Sequence, residues 1–328
     1  MTLKNVCGSA LALCKAKFFG IKIPLFVGWA LTARCNLSCR YCSIRKISGR
    51  ELEKHVILRM INELSNLGTR FISFTGGEPL LRDDIYEIID CCKKKFINVS
   101  VNSNGWVLKE KFDAIKNADL IILSLDGPKA VHDHIRGEGS YDRVMEAAET
   151  IRAHGIRLNF AVSLSNLNLE HIVFLTTQAK KFSATVTFQP VASHMLYGNE
   201  ENLLAPPEER YKQAIKEIIS LKKGTGKVTI TSSITALNHL YHWPHDRKIK
   251  CASGFISCRI KSDGDMCLCN RNDKACFNTQ KIGLKEAFCA LPDIMCAKCW
   301  CAQRVELNLL YNLKYEVISN NLFCKDIL

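Results

Sequence analysis

The stretch Phe26-Val27-Gly28-Trp29-Ala30-Leu31-Thr32, running through Ala33 and Arg34 into Cys35-Asn36-Leu37-Ser38-Cys39-Arg40-Tyr41-Cys42, decides the fold. Its first seven residues are uncharged and mostly apolar, the composition of a strand covered on both faces. The loop that follows spaces three cysteines as Cys-x3-Cys-x2-Cys. Three thiolates from one short loop can face three corners of an iron-sulfur cube and leave the fourth iron open to a substrate. A structural zinc site would instead want four closed ligands, usually as two Cys-x2-Cys pairs.

Outward from this stretch, from Pro24 to Ala192, short apolar runs alternate with amphipathic runs of helical period. The pattern predicts strands at 26–32, 71–75, 99–102, 120–125, 158–163 and 186–191. Helices are predicted at 51–67, 83–95, 109–117, 141–154 and 169–182. Six βα units in series predict an α/β fold, a partial (β/α)6 TIM-like barrel whose chemistry sits at the C-terminal ends of its strands. Polar groups fall at those ends. Thr75-Gly76-Gly77-Glu78-Pro79 follows the second strand, Asn102-Ser103-Asn104-Gly105 the third and Ser124-Leu125-Asp126-Gly127-Pro128 the fourth, while Gln189 lies on the sixth. Two glycines let a backbone approach a ligand closely, and Glu78 supplies an acceptor.

The remainder divides by composition. Residues 1–24 form an N-terminal arm, 25–195 the barrel core, and 196–249 a helical connector in which Pro206 and Pro207 open a helix over 208–223 and Gly224 to Gly226 break it. Residues 250–328 are cysteine-dense and predict a small metal-stabilised domain with a C-terminal helix. Cys251 and Cys269 bracket a hairpin turn at Ser262-Asp263-Gly264-Asp265, and Cys296-Ala297-Lys298-Cys299 adds a pair, so four thiolates can close one site. In isolation those four suit zinc as well as an iron-sulfur cluster.

The loop motif, with Tyr41 just before its last cysteine and a strand before its first, closely resembles the signature of the radical S-adenosylmethionine (SAM) superfamily. The resemblance implies a [4Fe-4S] cluster on Cys35, Cys39 and Cys42. Its open iron chelates SAM, and its reduction releases a 5′-deoxyadenosyl radical that abstracts hydrogen. It implies further that Tyr41 lies near the adenine, that Gly76, Gly77 and Glu78 receive the methionine amino group, and that Asn102, Ser124 and Asp126 lie by the cofactor. The stretch His132 to Gly137 also resembles a family element. Its Arg136 reads either as a partner of the cofactor carboxylate or as a helix-surface arginine. Gln189 would reach adenine or substrate.

The C-terminal hairpin resembles the auxiliary-cluster domains called SPASM when they hold two clusters and Twitch when they hold one. Trp300 and Cys301 break the SPASM spacing, with Cys324 the only later candidate. The expectation is therefore one auxiliary [4Fe-4S] cluster on Cys251, Cys269, Cys296 and Cys299. Cys258, Cys267, Cys276, Cys289 and Cys301 are left over and could exchange with a named ligand. Cys7, Cys14, Cys91 and Cys92 read as packing.

Composition bounds the rest. Of 328 residues 47% are hydrophobic, yet no apolar run approaches the ~20 residues that span a bilayer. Lys15, Lys17 and Lys22 interrupt the apolar N-terminus, which argues against a signal peptide. Seventeen cysteines without a secretory signal predict metal binding in a reducing compartment, the cytoplasm. The first helix reads either as a cap on the bottom of the barrel or as a peripheral membrane contact. The net charge of +13 suggests an acidic partner. Scattered basic residues and uninterleaved aromatics make nucleic acid unlikely as that partner.

The leading expectation is an enzyme that abstracts hydrogen from a peptide or protein, supplied with electrons by a donor such as flavodoxin or ferredoxin. A dehydrogenase or transferase acting on a small molecule, sugar or lipid is the alternative. A reading of another class is a non-catalytic, zinc-stabilised nucleic-acid-binding protein, which the open three-cysteine site opposes.

Overall fold

The computed structural model describes residues 3–46, 50–195, 200–224, 230–269, 272–314 and 316–317. A helix, α1 (Leu3–Phe19), precedes six parallel strands: β1 (Phe26–Thr32), β2 (Phe71–Gly76), β3 (Asn98–Ser103), β4 (Leu120–Ser124), β5 (Arg157–Leu164) and β6 (Thr185–Pro190). The strands pair in sequence order, Phe26 opposite Phe71 and Asn159 opposite Thr185. Between them lie α2 (Lys54–Asn66), α3 (Ile85–Lys94), α4 (Phe112–Ile115), α5 (Lys129–Arg136), α6 (Ser140–Ala153) and α7 (Ile172–Lys181). This is the expected α/β partial barrel.

Periodicity explains the covering helices. In α2 the buried residues Ile57, Met60, Ile61 and Leu64 recur at i, i+3, i+4 and i+7, and Ile85, Ile88, Ile89 and Cys92 do the same in α3. Beneath them lie Trp29 and Phe74, fully buried with ring centroids 6.3 Å apart. Two helices differ from the sequence reading. The helix predicted over 109–117 shrinks to the single turn of α4, and α5 forms where none was predicted, between Pro128 and a Gly137 at φ +120°.

The chain continues through α8 (Glu208–Gly224), α9 (Ile234–Leu240), β7 (Ile249–Lys250), β8 (Ser257–Ile260), β9 (Asp265–Cys269) and β10 (Asn272–Asn278). The last described elements are α10 (Thr279–Ile282), α11 (Leu284–Ala290), β11 (Met295–Cys296) and α12 (Ala302–Tyr311). The expected turn at Ser262–Asp265 does join two antiparallel strands, β8 and β9. The hairpin does not stand apart, however: β8 runs parallel to β1, Phe26 opposite Ser257 and Trp29 opposite Ile260, giving one nine-stranded sheet in the order β10-β9-β8-β1-β2-β3-β4-β5-β6. The shift at residue 250 is thus one of composition and not of sheet. β1 would otherwise present an open edge, and pairing removes it.

Cys267 and Cys276, opposite each other on β9 and β10, are joined as a disulfide, where the sequence reading left both as spare thiols. Cys324 and part of the Gly224–Gly226 break lie outside the described residues. α1 rests on the body through the small residues Ala12 and Ala16 and leaves Leu11, Phe18 and Phe19 exposed. Among the described residues no helix is long and apolar enough to cross a membrane.

Candidate active site

The loop after β1 is held by backbone. Gly77 N–H donates to Thr32 O and Glu78 N–H to Arg34 O, both at 2.8 Å. Gly76 lies at φ +137°, and a Cβ on it would meet Thr32 O, while one on Gly77 would meet Arg34 O. What these glycines let in is therefore the cysteine loop itself. Glu51 braces the same loop: its carboxylate pairs with Arg34 at 2.9 Å, with Arg82 at 3.3 Å and with the Thr32 hydroxyl. Arg82, 6% exposed, also donates to Leu31 O. Sequence reasoning missed Glu51 and Arg82, because a charged residue in a polar stretch carries no mark of burial.

The three cysteines are neighbours whose charges would act on one another. Cys35 Sγ accepts from Leu37 N–H at 3.5 Å and has Asn104 Nδ2 at 3.9 Å. Cys39 Sγ has Arg136 Nη1 at 3.9 Å. Burial pushes the Cys39 thiol up to about 11 against the nearby Arg136 cation, and raises Cys35 as well. Such thiols ionise readily only when a metal takes the proton's place. Three soft donors, with N–H groups near the sulfurs of Cys35 and Cys39, fit a cluster bound through thiolates.

The other predicted residues divide into two sets. Tyr41, Asn102 and Gln189 line a cavity of about 1160 Å³, with Thr75 and Ser163 beside them. Glu78 is fully buried and accepts from Leu80 N–H at 3.1 Å and Asn104 N–H at 2.7 Å, so its oxygens tie β2 to β3. Burial outweighs those bonds and pushes its carboxyl up to about 7. Ser124 ends β4 half-buried. Asp126 is sealed in: one oxygen accepts from Ser163 N–H at 2.9 Å, the other from Arg136 at 2.6 Å and from the Tyr41 hydroxyl at 3.1 Å. Arg136 is accordingly not a helix-surface arginine. It is a buried cation paired with Asp126, and it also reaches the Tyr41 hydroxyl.

The same cavity is also lined by Cys251, Cys269, Cys296, Cys299 and Cys301. The pairing of β11 with β7 sets Cys296 opposite Ile249, and Cys251 N–H donates to Ile294 O at 3.2 Å, which brings Cys251 beside Cys296. The Cys299 thiol is raised first by its hydrogen bond with Cys296 and then by burial, with Cys301 and Cys251 adding charge repulsion. Asn308 Nδ2 donates toward Cys299 Sγ at 3.3 Å. Cys301, set aside at first, stands in this group; its spacing of two from Cys299 was the signal. Cys258 is core, its thiol pushed up to about 12 by burial, and Cys289 is exposed. Among the described residues no three His, Cys, Asp or Glu side chains close around a single metal ion position.

A barrel with these elements is a known architecture. The chain superposes with a TM-score of 0.66 and 14% identity on Streptococcus suis SuiB bound to precursor peptide SuiA, covering 86% of this chain and 68% of that one. On anSMEcpe with bound AdoMet the values are 0.64 and 21%, with 81% and 80% covered. These likenesses establish the fold class, an α/β partial barrel. Residues 29–177 match the family model of the radical SAM superfamily.

Curated relatives agree. The mycofactocin maturase MftC of Mycolicibacterium smegmatis is 29% identical over 174 residues, 51% of this chain and 44% of that protein. The AdoMet-dependent heme synthase of Methanosarcina barkeri is 29% identical over 199 residues, 56% and 55%. The chain thus spans about half the length of these relatives.

Proposed function

We propose that this protein is a radical SAM oxidoreductase of the maturase type, acting in the cytoplasm on a peptide or protein. The observation that carries the reading is the cavity of about 1160 Å³ that Tyr41 of the three-cysteine loop and the second cysteine group line together. It exceeds the ~300–1,000 Å³ usual for one small ligand, which leaves room for SAM and a substrate segment together. The similarity to a maturase supports a peptide substrate, and the equal identity to a heme synthase supports a small molecule as the second reading.

In this reading Cys35, Cys39 and Cys42 hold the catalytic [4Fe-4S] cluster. Once reduced by one electron from its donor, a cluster held there would supply cleavage of SAM to methionine and a 5′-deoxyadenosyl radical able to take a hydrogen atom from substrate carbon. Gly76 and Gly77 fix the loop, and Glu78 holds the end of β2 where the backbone can meet the methionine end of SAM. Tyr41, Asn102 and Gln189 face the cofactor from the cavity wall, and Asp126 and Arg136 anchor Tyr41. Ser124 closes the β4 end of the same mouth.

On the same cavity, Cys251, Cys269, Cys296 and Cys299 hold one auxiliary [4Fe-4S] cluster within a Twitch-like segment, residues 250–328. Residues 25–195 are the catalytic core and 196–249 the connector. The partners are the substrate peptide, an electron donor such as flavodoxin or ferredoxin and, through residues 1–24, a membrane surface.

The test is 5′-deoxyadenosine formation from SAM by anaerobically reconstituted, dithionite-reduced protein, against Cys42→Ala. Product from the wild type alone supports the reading. Product from neither, with the wild type fully loaded with iron and supplied with candidate peptides, sinks it.

A further inference from the structure

α1 is apolar on both sides, and only one side is used by the fold. Ser9, Ala12 and Ala16 face inward and are buried. Leu11, Lys15 and Phe18 recur at i, i+4 and i+7 on the opposite side, and Phe19 and Ile21 follow. Leu11 is 57% exposed, Phe18 67%, Phe19 76% and Ile21 47%. This is the densest run of exposed large apolar side chains among the described residues. Scattered exposed hydrophobics need no explanation, but a contiguous patch marks a contact.

The patch is built from two ends of the chain. Lys17 Nζ lies 3.4 Å from Asn312 Oδ1 and 4.9 Å from the centre of the Tyr311 ring. This brings the exposed Leu313 and Lys314 alongside the end of α1. Lys22, on the other flank, donates to Cys289 O and Leu291 O at 2.7 and 2.6 Å. Lys15 and Lys314, both exposed, thus flank an apolar centre of Leu11, Phe18, Phe19, Ile21 and Leu313, while Lys17 and Lys22 hold that surface to the body. The first 24 residues contain four lysines and no acid, in a chain of net charge +13.

We propose that this composite surface, the outer side of α1 with the turn after α12, docks the protein on an anionic lipid bilayer. Phenylalanines and leucines enter the headgroup boundary while lysines stay at phosphate level, the arrangement of helices that lie in the interface without spanning it. An acidic protein partner would be served by the lysines but would leave two adjacent, mostly exposed phenylalanines without an apolar counterpart. This deepens the membrane partner named above and stands apart from the radical chemistry.

The experiment is flotation of the full-length holoprotein with vesicles of phosphatidylglycerol and phosphatidylcholine, and with phosphatidylcholine alone, for the wild type and Phe18→Ser/Phe19→Ser. Both residues lie outside the core, so folding is checked by unchanged Tm and unchanged 5′-deoxyadenosine formation. We expect wild type to float with the anionic vesicles only, and the double variant to lose at least tenfold in bound fraction. The inference is overturned if wild type stays at the bottom of the gradient, or if the variant floats equally well. It is also overturned if the variant converts a dimer to a monomer in vesicle-free sedimentation, since a second copy would then be the occupant. Loss of flotation with retained SAM cleavage separates this inference from the catalytic reading.

Discussion

Arg136 Nε stands 2.6 Å from Asp126 Oδ2, with Asp126 wholly and Arg136 almost wholly shielded from solvent. The pair joins the end of β4 to α5 and holds the Tyr41 hydroxyl between them. Through Tyr41 it reaches the cysteine loop, so a charge pair outside the cavity fixes a residue on its wall.

Removing one partner leaves the other charge buried and uncompensated, which costs about 3–5 kcal/mol. Arg136→Met is expected to lose stability on that scale in urea unfolding of the cluster-free protein. Asp126→Leu/Arg136→Met is expected to recover much of the loss, because no bare charge remains. Equal losses in the single and double variants would contradict the pairing.

Gly77→Ala places a methyl group against Arg34 O, and backbone cannot yield as a side chain does. A destabilisation of about 1–3 kcal/mol is expected, together with a roughly tenfold or greater loss of iron affinity at the three-cysteine loop. Iron analysis after anaerobic reconstitution measures the second effect. Gly224→Ala, with nothing within 4 Å of its added Cβ, serves as the control.

The pH dependence of stability should carry the mark of Glu306. Burial pushes its carboxyl up from 4.5 to about 7, although Oε1 accepts from Ser233 N–H at 2.5 Å; Oε2 has no partner among the described residues. The folded state therefore binds the proton more tightly than the unfolded one. Its contribution to stability is fully present below about 4.5, declines as pH rises toward about 7 and stays lost above. Glu306→Gln, which does not titrate, should make that decline shallower, leaving the part due to Glu78, whose carboxyl is likewise pushed up to about 7. His132, buried and lowered to about 4, acts with the opposite sign between about 4 and 6.5 and should persist in the variant.

The cavity's second cysteine group presents five thiols, one more than the four ligands proposed for a cluster there. In a Cys35→Ala/Cys39→Ala/Cys42→Ala background, Cys251→Ala, Cys269→Ala, Cys296→Ala or Cys299→Ala is expected to abolish bound iron, while Cys301→Ala retains it. Iron retained by Cys269→Ala and lost in Cys301→Ala would exchange their roles.

Much of the barrel was legible because its strands and helices differ in period. A buried parallel strand such as Phe26–Thr32 reads as a continuous apolar run, and α2 and α3 show the helical stripe without ambiguity. The cysteine loop was legible because spacing along one loop is local information. What escaped was long-range: Arg136 looks like any helix arginine until Asp126 is seen beside it, and Glu51 and Arg82 reveal their bracing of the loop only in three dimensions. The pairing of β8 with β1 escaped for the same reason, since a four-residue strand beside a turn signals its hairpin and says nothing of a distant edge. The disulfide between Cys267 and Cys276 depends on that register and could not be told from a spare thiol.

The parallel contact of Phe26 with Ser257 and of Trp29 with Ile260 sets an order on synthesis. The barrel's opening strand leaves the ribosome well before its partner, so until β8 emerges β1 has one unpaired side. A nascent chain in that condition is a substrate for chaperones and for misjoined strands. A version truncated before residue 250 would therefore fail as a half-finished sheet, quite apart from any chemistry it had lost.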